Sequence, residues 1–119
     1  MATARQIELN RWLVQGWWYE DVLGIVKEHL EEFNLVNCTT ALHRLAKAAG
    51  GGGKQSGSGA PQRQRGAGEL GSLLARTARL VQGSKCPAQN LANALWACER
   101  LGLGGLPEAA AIVEAARAA

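Results

Sequence analysis

Apolar residues recur along this chain every three or four positions, the spacing that gathers them on one face of an α-helix. In residues 4–15, Leu9 and Leu13 mark one face and Ile7 and Val14 the adjoining one, and Gly16 ends the run. A second helix is expected from about Trp18, with Glu20 and Asp21 in its first turn, where acids complement the helix dipole. It places Trp18, Val22, Ile25, Val26, His29, Leu30 and Phe33 on one side. Residues 34–37 then read as a short turn, and a third helix from Cys38 to Ala49 puts Cys38, Ala41, Leu42 and Leu45 on one stripe. Two such helices joined by a short turn make an αα-hairpin. The pattern resumes at Glu69–Val81, with Leu70, Leu73, Leu74, Thr77 and Val81 inward, and again at Ala88–Leu101, with Leu91, Ala94, Leu95 and Cys98 inward. Pro107 suits the first turn of a last helix, Glu108 to Arg117, carrying Ile112 and Val113.

Between the two halves the periodicity stops. Residues 50–68 read GGGGKQSGSGAPQRQRGAG, where eight of nineteen positions are glycine and none is a large hydrophobe. Nothing there offsets the entropy of ordering, so the segment is expected to be a disordered glycine-rich insertion. The GGGGK run does not make a phosphate loop, because Gln55 stands where the motif needs Ser or Thr and the segment follows a helix instead of a strand. Val, Ile, Thr, Tyr and Phe nowhere alternate with polar residues over a strand's length. With 21 alanines among 119 residues, the packing surfaces are shallow and favour closely approaching helices. The expected fold is all-α.

Charge adds an asymmetry. Residues 1–33 carry six acids against three bases, whereas residues 34–100 carry nine bases against two acids. The second stretch is therefore locally +7 (nine minus two), which attracts polyanions or forms a solvated basic edge. Cys38, Cys86 and Cys98 form no CxxC pair and read as buried thiols, and neither His29 nor His43 has a partner at metal-ligand spacing. No Ser/His/Asp or Cys/His set recurs, and no apolar run approaches 18 residues. The expectation is a chain that is not an enzyme, holds no metal or other cofactor, takes no small-molecule substrate and inserts in no membrane.

An internal repeat organises these helices. Residues 37–47, NCTTALHRLAK, align with residues 90–100, NLANALWACER, at a shift of 53 (90 minus 37), bringing Asn37 over Asn90, Leu42 over Leu95 and Lys47 over Arg100. Leu74, Ala78 and Arg79 align with Ile112, Ala116 and Arg117 at a shift of 38 (112 minus 74). The two shifts differ by 15 residues, which the glycine-rich stretch supplies. A period of this size in helical pairs is the mark of an α-solenoid. The expected units are an N-terminal helix or partial repeat at 1–17, repeats at 18–49 and 69–102 around the linker 50–68, and a truncated third at 103–119.

The segments LVNCTTALHRLAK and NLANALWACERLG resemble the second helix of octotricopeptide repeats, degenerate 38-residue helical hairpins found mainly in algal organelles. The resemblance covers residues 18–49 and 69–102 and part of a third unit from Leu106. It departs from the family in the long insertion, the short last unit and the absence of the RAP domain that related arrays often carry. It implies a partial array that binds single-stranded RNA and acts in maturation, stability or translation of organellar transcripts, in the chloroplast before the mitochondrion. Ribonucleoprotein subunits would be further partners. A protein-interaction scaffold of the same helical pairs is the alternative.

Helical spacing assigns Asn37, Thr40, Arg44 and Lys47 in one second helix, and Asn90, Asn93, Ala97 and Arg100 in the other, to the face away from the core. Asn reads base edges by paired hydrogen bonds and Arg or Lys meets phosphate, so Asn37, Thr40, Arg44, Lys47, Asn90, Asn93 and Arg100 are the candidate RNA contacts. Asn37 and Asn90 serve equally well as helix caps, and the bases as a solvated helix end. His43 and Trp96 occupy equivalent positions and either stack on bases or pack between units. Of the adjacent Trp17 and Trp18, one is expected in the core and the other over a neighbour or partner.

Overall fold

Each helix start traces to a local donor problem, because the first turn of an α-helix leaves N–H groups without carbonyl partners. The computed structural model describes residues 3–16, 18–51, 67–83 and 87–118. Helix α1 (Ala4–Gln15) opens on a capping box: Thr3 Oγ1 accepts from the Gln6 N–H at 3.1 Å, and Gln6 Oε1 accepts from the Thr3 N–H at 3.0 Å. Helix α2 (Tyr19–His29) starts with the Asp21 carboxylate accepting from the Trp18 N–H, and continues into a 3-10 turn, Leu30–Glu32. Helix α3 (Leu35–Gly51) is capped reciprocally by Asn34 and Asn37, with each side-chain oxygen accepting from the other's N–H at 2.8 and 3.0 Å. The helix therefore begins three residues before the expected Cys38, and Asn34 is the cap.

Helix α4 spans Ala67–Gly83, α5 Ala88–Leu101 and α6 Pro107–Ala118. Gly102 ends α5 in the left-handed region, at φ 76°, and Leu103 N–H bonds to Cys98 O at 2.8 Å. That is the Schellman closure for which glycine is suited. Gly16 ends α1 differently. Its φ is −69°, and its lack of a side chain matters because a Cβ there would meet Val22 Cγ2 at 3.0 Å, so the turn into α2 needs the space. No strand occurs among the described residues. Of the insertion expected over 50–68, residues 52–66 lie outside the described residues, and its ends are helical instead: Gly50 and Gly51 continue α3, and Ala67 and Gly68 open α4.

Helix α3 is the hub, with α1, α2, α4 and α5 all packed on it. Its Cys38, Ala41, Leu42, Leu45 and Ala46 meet the core formed by Leu9, Leu13, Val22, Val26, Phe33, Leu73, Leu74, Leu91, Ala94 and Ile112. Helices α1, α3 and α5 lie side by side in that order, and α2, α4 and α6 do likewise. The first three run in the same direction. Asn37 and Arg44 of α3 bond to Gln6 and to Gly16 just past α1, and Thr39 and His43 meet Asn90 and Trp96 of α5.

Being flanked on two sides changes which residues are core. Ala97, expected outward, is buried, as is Thr39, whereas Leu95 is only half-buried. Trp18, expected inward, stands 70% exposed and Tyr19 takes the core position beside it.

One arginine joins the two halves across the insertion. Arg76 of α4 donates from Nε and Nη2 to Phe33 O at 3.1 and 3.0 Å and from Nη2 to Glu31 O at 3.0 Å. These are carbonyls that the 3-10 turn leaves without helical partners. Charge-assisted bonds of this kind contribute about 1–3 kcal/mol together. Arg76→Ala should lower the urea midpoint of unfolding accordingly, and Arg76→Lys should recover only part, because an ammonium cannot span both carbonyls as a fork. A midpoint unchanged in the alanine variant would show that α4 docks without this clamp.

Candidate nucleic-acid interface

The parallel row α1, α3, α5 leaves one long side open to solvent, and helical spacing puts Val36, Thr40, His43 and Lys47 of α3 along it. Lys47 is exposed, while Thr40, His43 and Arg44 are half-buried. On α5 the corresponding stripe carries Gln89, Trp96 and Arg100, all exposed. Across the seam the rings of His43 and Trp96 meet with centroids 5.3 Å apart and planes tilted by 51°. The Arg100 guanidinium sits over the Trp96 ring, 5.3 Å from its centroid. Trp96 thus packs between helices and still leaves 43% of its surface open. A cation held over an indole by its quadrupole stays solvated and available to an anion.

The candidate residues divide by what they touch. Asn37 does not lie on the outer face: it is 1% exposed, and its amide nitrogen donates to Gln6 O at 3.0 Å and to Asn10 Oδ1 at 3.3 Å. It is the third residue of α3 and a tie to α1. Asn90 holds the equivalent place in α5 and donates to Thr39 Oγ1 at 3.1 Å, so both asparagines link one parallel helix to the one before. Neither is the N-cap residue, since Asn34 and Pro87 occupy those positions, although the Asn37 side chain completes the reciprocal cap of α3 from the third position. Asn93 accepts from Gln89 Nε2 at 3.2 Å and stays at the edge of the stripe. Arg44 donates to Gly16 O at 3.2 Å, which fixes its stem toward the α1–α2 turn. Arg44, Lys47 and Arg100 are brought onto one side together with His43 and Trp96, and Thr40 lies on the α3 stripe.

Local electrostatics keep this face basic. Burial pushes the His43 imidazole below its ordinary pKa, and Lys47 and Arg44 push it further down, so the ring is neutral at physiological pH. Neutral imidazole stacks without adding repulsion to its cationic neighbours. Not every base is available. Arg5 is engaged by Glu32 at 2.9 Å and Glu8 at 3.1 Å, and that guanidinium, with His29 second, holds the Glu32 carboxyl below its usual range. Among the described residues Lys47 and Arg100 enter no ion pair.

The remaining chemistry is sparse. Burial pushes the thiols of Cys38 and Cys98 up to about 11, which leaves almost no thiolate to act as nucleophile or ligand. Among the described residues no three His, Cys, Asp or Glu side chains converge to hold a metal, and no helix is long and apolar enough to cross a membrane. Comparison of the chain with family models, with curated proteins and with solved structures finds no match.

The aromatic pair at the centre of the stripe was readable in outline. A shift of 53 residues brings His43 over Trp96 (96 minus 43), but it aligns the two residues as equivalents and does not say that they touch. Contact follows from the parallel packing of α3 and α5.

Proposed function

We propose that this chain binds single-stranded RNA along the outer side of α3 and α5, as part of a helical-repeat array. The observation that carries the reading is Trp96, half-exposed and in contact with both His43 and Arg100, with Lys47 on the same stripe as His43. An aromatic face flanked by cations suits a strand whose bases are unstacked, because every nucleobase offers a π-face and every linkage a phosphate. The side-by-side order of α1, α3 and α5 and of α2, α4 and α6 supports the solenoid part of the proposal, since stacked helical hairpins bury their cores between neighbours in this way. The octotricopeptide resemblance adds an organellar setting, with the chloroplast favoured, and a role in maturation, stability or translation of transcripts.

Titration of a fluorescent oligouridylate at rising salt tests this. Affinity should fall steadily with salt, as expected when phosphates release counterions to Lys and Arg. Trp96→Ala should weaken binding by about tenfold, the scale of one lost base stack. Salt-independent binding, or a Trp96→Ala variant that binds like the parent, would remove the RNA reading.

A second reading, a protein-interaction scaffold, draws on Ile7, Val14 and Val36. These exposed aliphatic residues line a groove of about 430 Å3 between α1 and the start of α3. Contacts to that groove would respond little to salt and would survive loss of the basic residues.

A further inference from the structure

Trp18 is the most exposed of the large apolar side chains among the described residues, and the core has no use for it, because Tyr19 fills the buried position at the start of α2. Its backbone is extended, at φ −103° and ψ 150°, as the residue that precedes the first helical turn. That conformation sends consecutive side chains to opposite sides, one into the core and one to solvent. A turn that only had to connect α1 to α2 would work as well with a small polar residue.

One hydrogen bond ties this turn to the basic stripe. Arg44 Nη2 donates to Gly16 O at 3.2 Å, and Trp18 follows Gly16 by two residues, so its Cα lies within about 7 Å of that of Gly16. The stripe of α3 therefore has an exposed tryptophan close to each of its two sides. Trp96 stands on the α5 side against His43 and Arg100, and Trp18 follows the turn on the α1 side that Arg44 binds.

We propose that Trp18 is a second base-stacking platform, at the α1–α2 turn, so that one RNA strand passes from Trp96 across Lys47 and Arg44 to Trp18. This rests on the RNA-binding reading and extends it to a third helix row member, α1, and to a residue outside the repeat alignment. Stacking is tolerant of base identity, so Trp18 contributes affinity and footprint length without a sequence preference of its own.

The experiment is titration of the full chain with the same oligouridylate for the parent, Trp18→Leu and Trp18→Phe, with helical content checked by circular dichroism. Leucine keeps apolar bulk and removes the π-face, and phenylalanine keeps a smaller π-face. Because the side chain is largely in solvent, both variants should fold like the parent. The expected result is binding weakened by about tenfold in Trp18→Leu and mostly retained in Trp18→Phe. Equal affinity for Trp18→Leu and the parent, while Trp96→Ala still weakens binding, overturns the second platform and leaves the RNA reading standing. Equal weakening in both Trp18 variants also overturns it, since the ring would then act by shape and not by stacking. Absence of any binding by the parent removes both proposals together.

Discussion

Leu42→Ala should leave the chain largely unfolded at temperatures where the parent is still helical. Leu42 is fully buried on α3, the helix against which α1, α2, α4 and α5 all pack, so no single neighbour can move in to fill the space. Replacing a buried leucine by alanine costs about 2–5 kcal/mol, and the upper part of that range applies where surroundings cannot collapse. Domains of this size have about 5–15 kcal/mol in total, and a core rich in alanine sits toward the low end. Each kcal/mol lowers the melting temperature of a chain this long by about 4–8 °C, so the drop should exceed about 12 °C. Thermal melts followed by circular dichroism measure it. The half-buried Leu95, aligned with Leu42 by the repeat, should show a clearly smaller drop on the same change. Equal melting temperatures for Leu42→Ala and the parent would contradict a core organised around α3.

The contrast between those two leucines shows where the sequence was legible and where it was not. Helix bounds set by unambiguous signals came through: α1 over Ala4–Gln15 and α5 over Ala88–Leu101 follow from a helical period closed by Gly16 and Gly102. The start of α3 did not, because Asn34 and Asn37 are equally good capping residues and only the reciprocal bonds between them decide which stands outside the helix. Face assignments failed for a related reason. A single hydrophobic stripe presumes one buried side, but α3 and α5 are packed on more than one. Small or polar residues such as Thr39, Asn37 and Ala97 are buried there without disturbing the stripe. Asn37 was the costliest of these for the candidate site, since a buried amide bonded to Gln6 and Asn10 has nothing left to offer a base edge.

What the repeat alignment conveyed was equivalence. Asn37 and Asn90, aligned by the shift of 53, each reach back to the preceding parallel helix. Trp18 escaped the alignment altogether because it stands in a turn. Of the doublet expected to send one ring inward and one outward, Trp18 is the exposed member and Trp17 lies outside the described residues, while Tyr19 is buried at the start of α2.

The combined change Arg44→Glu, Lys47→Glu and Arg100→Glu should abolish binding to single-stranded RNA while leaving the fold in place. Lys47 and Arg100 are exposed and make no ion pair among the described residues, and Arg44 gives the fold one hydrogen bond, to Gly16 O. Three reversals change the charge of the stripe by six (three residues, two charges each), so phosphates that released counterions on binding now meet carboxylates. On a single strand each phosphate contact contributes about −0.7 to the slope of log affinity against log salt, so three contacts account for a slope of about −2. Both that slope and the affinity should disappear together. A single strand contacting a short array is held weakly, in the micromolar range or above, so this loss carries the binding below detection. Deleting residues 52–66 supplies the control, because that segment holds Lys54, Arg63 and Arg65, a cluster of bases able to attract a polyanion without any groove. Retention of most of the affinity in the deletion, with loss in the triple variant, assigns binding to the α3–α5 face. The reverse pattern would assign it to the glycine-rich segment, and Trp96, His43 and Arg100 would then be no more than a packed seam between two helices.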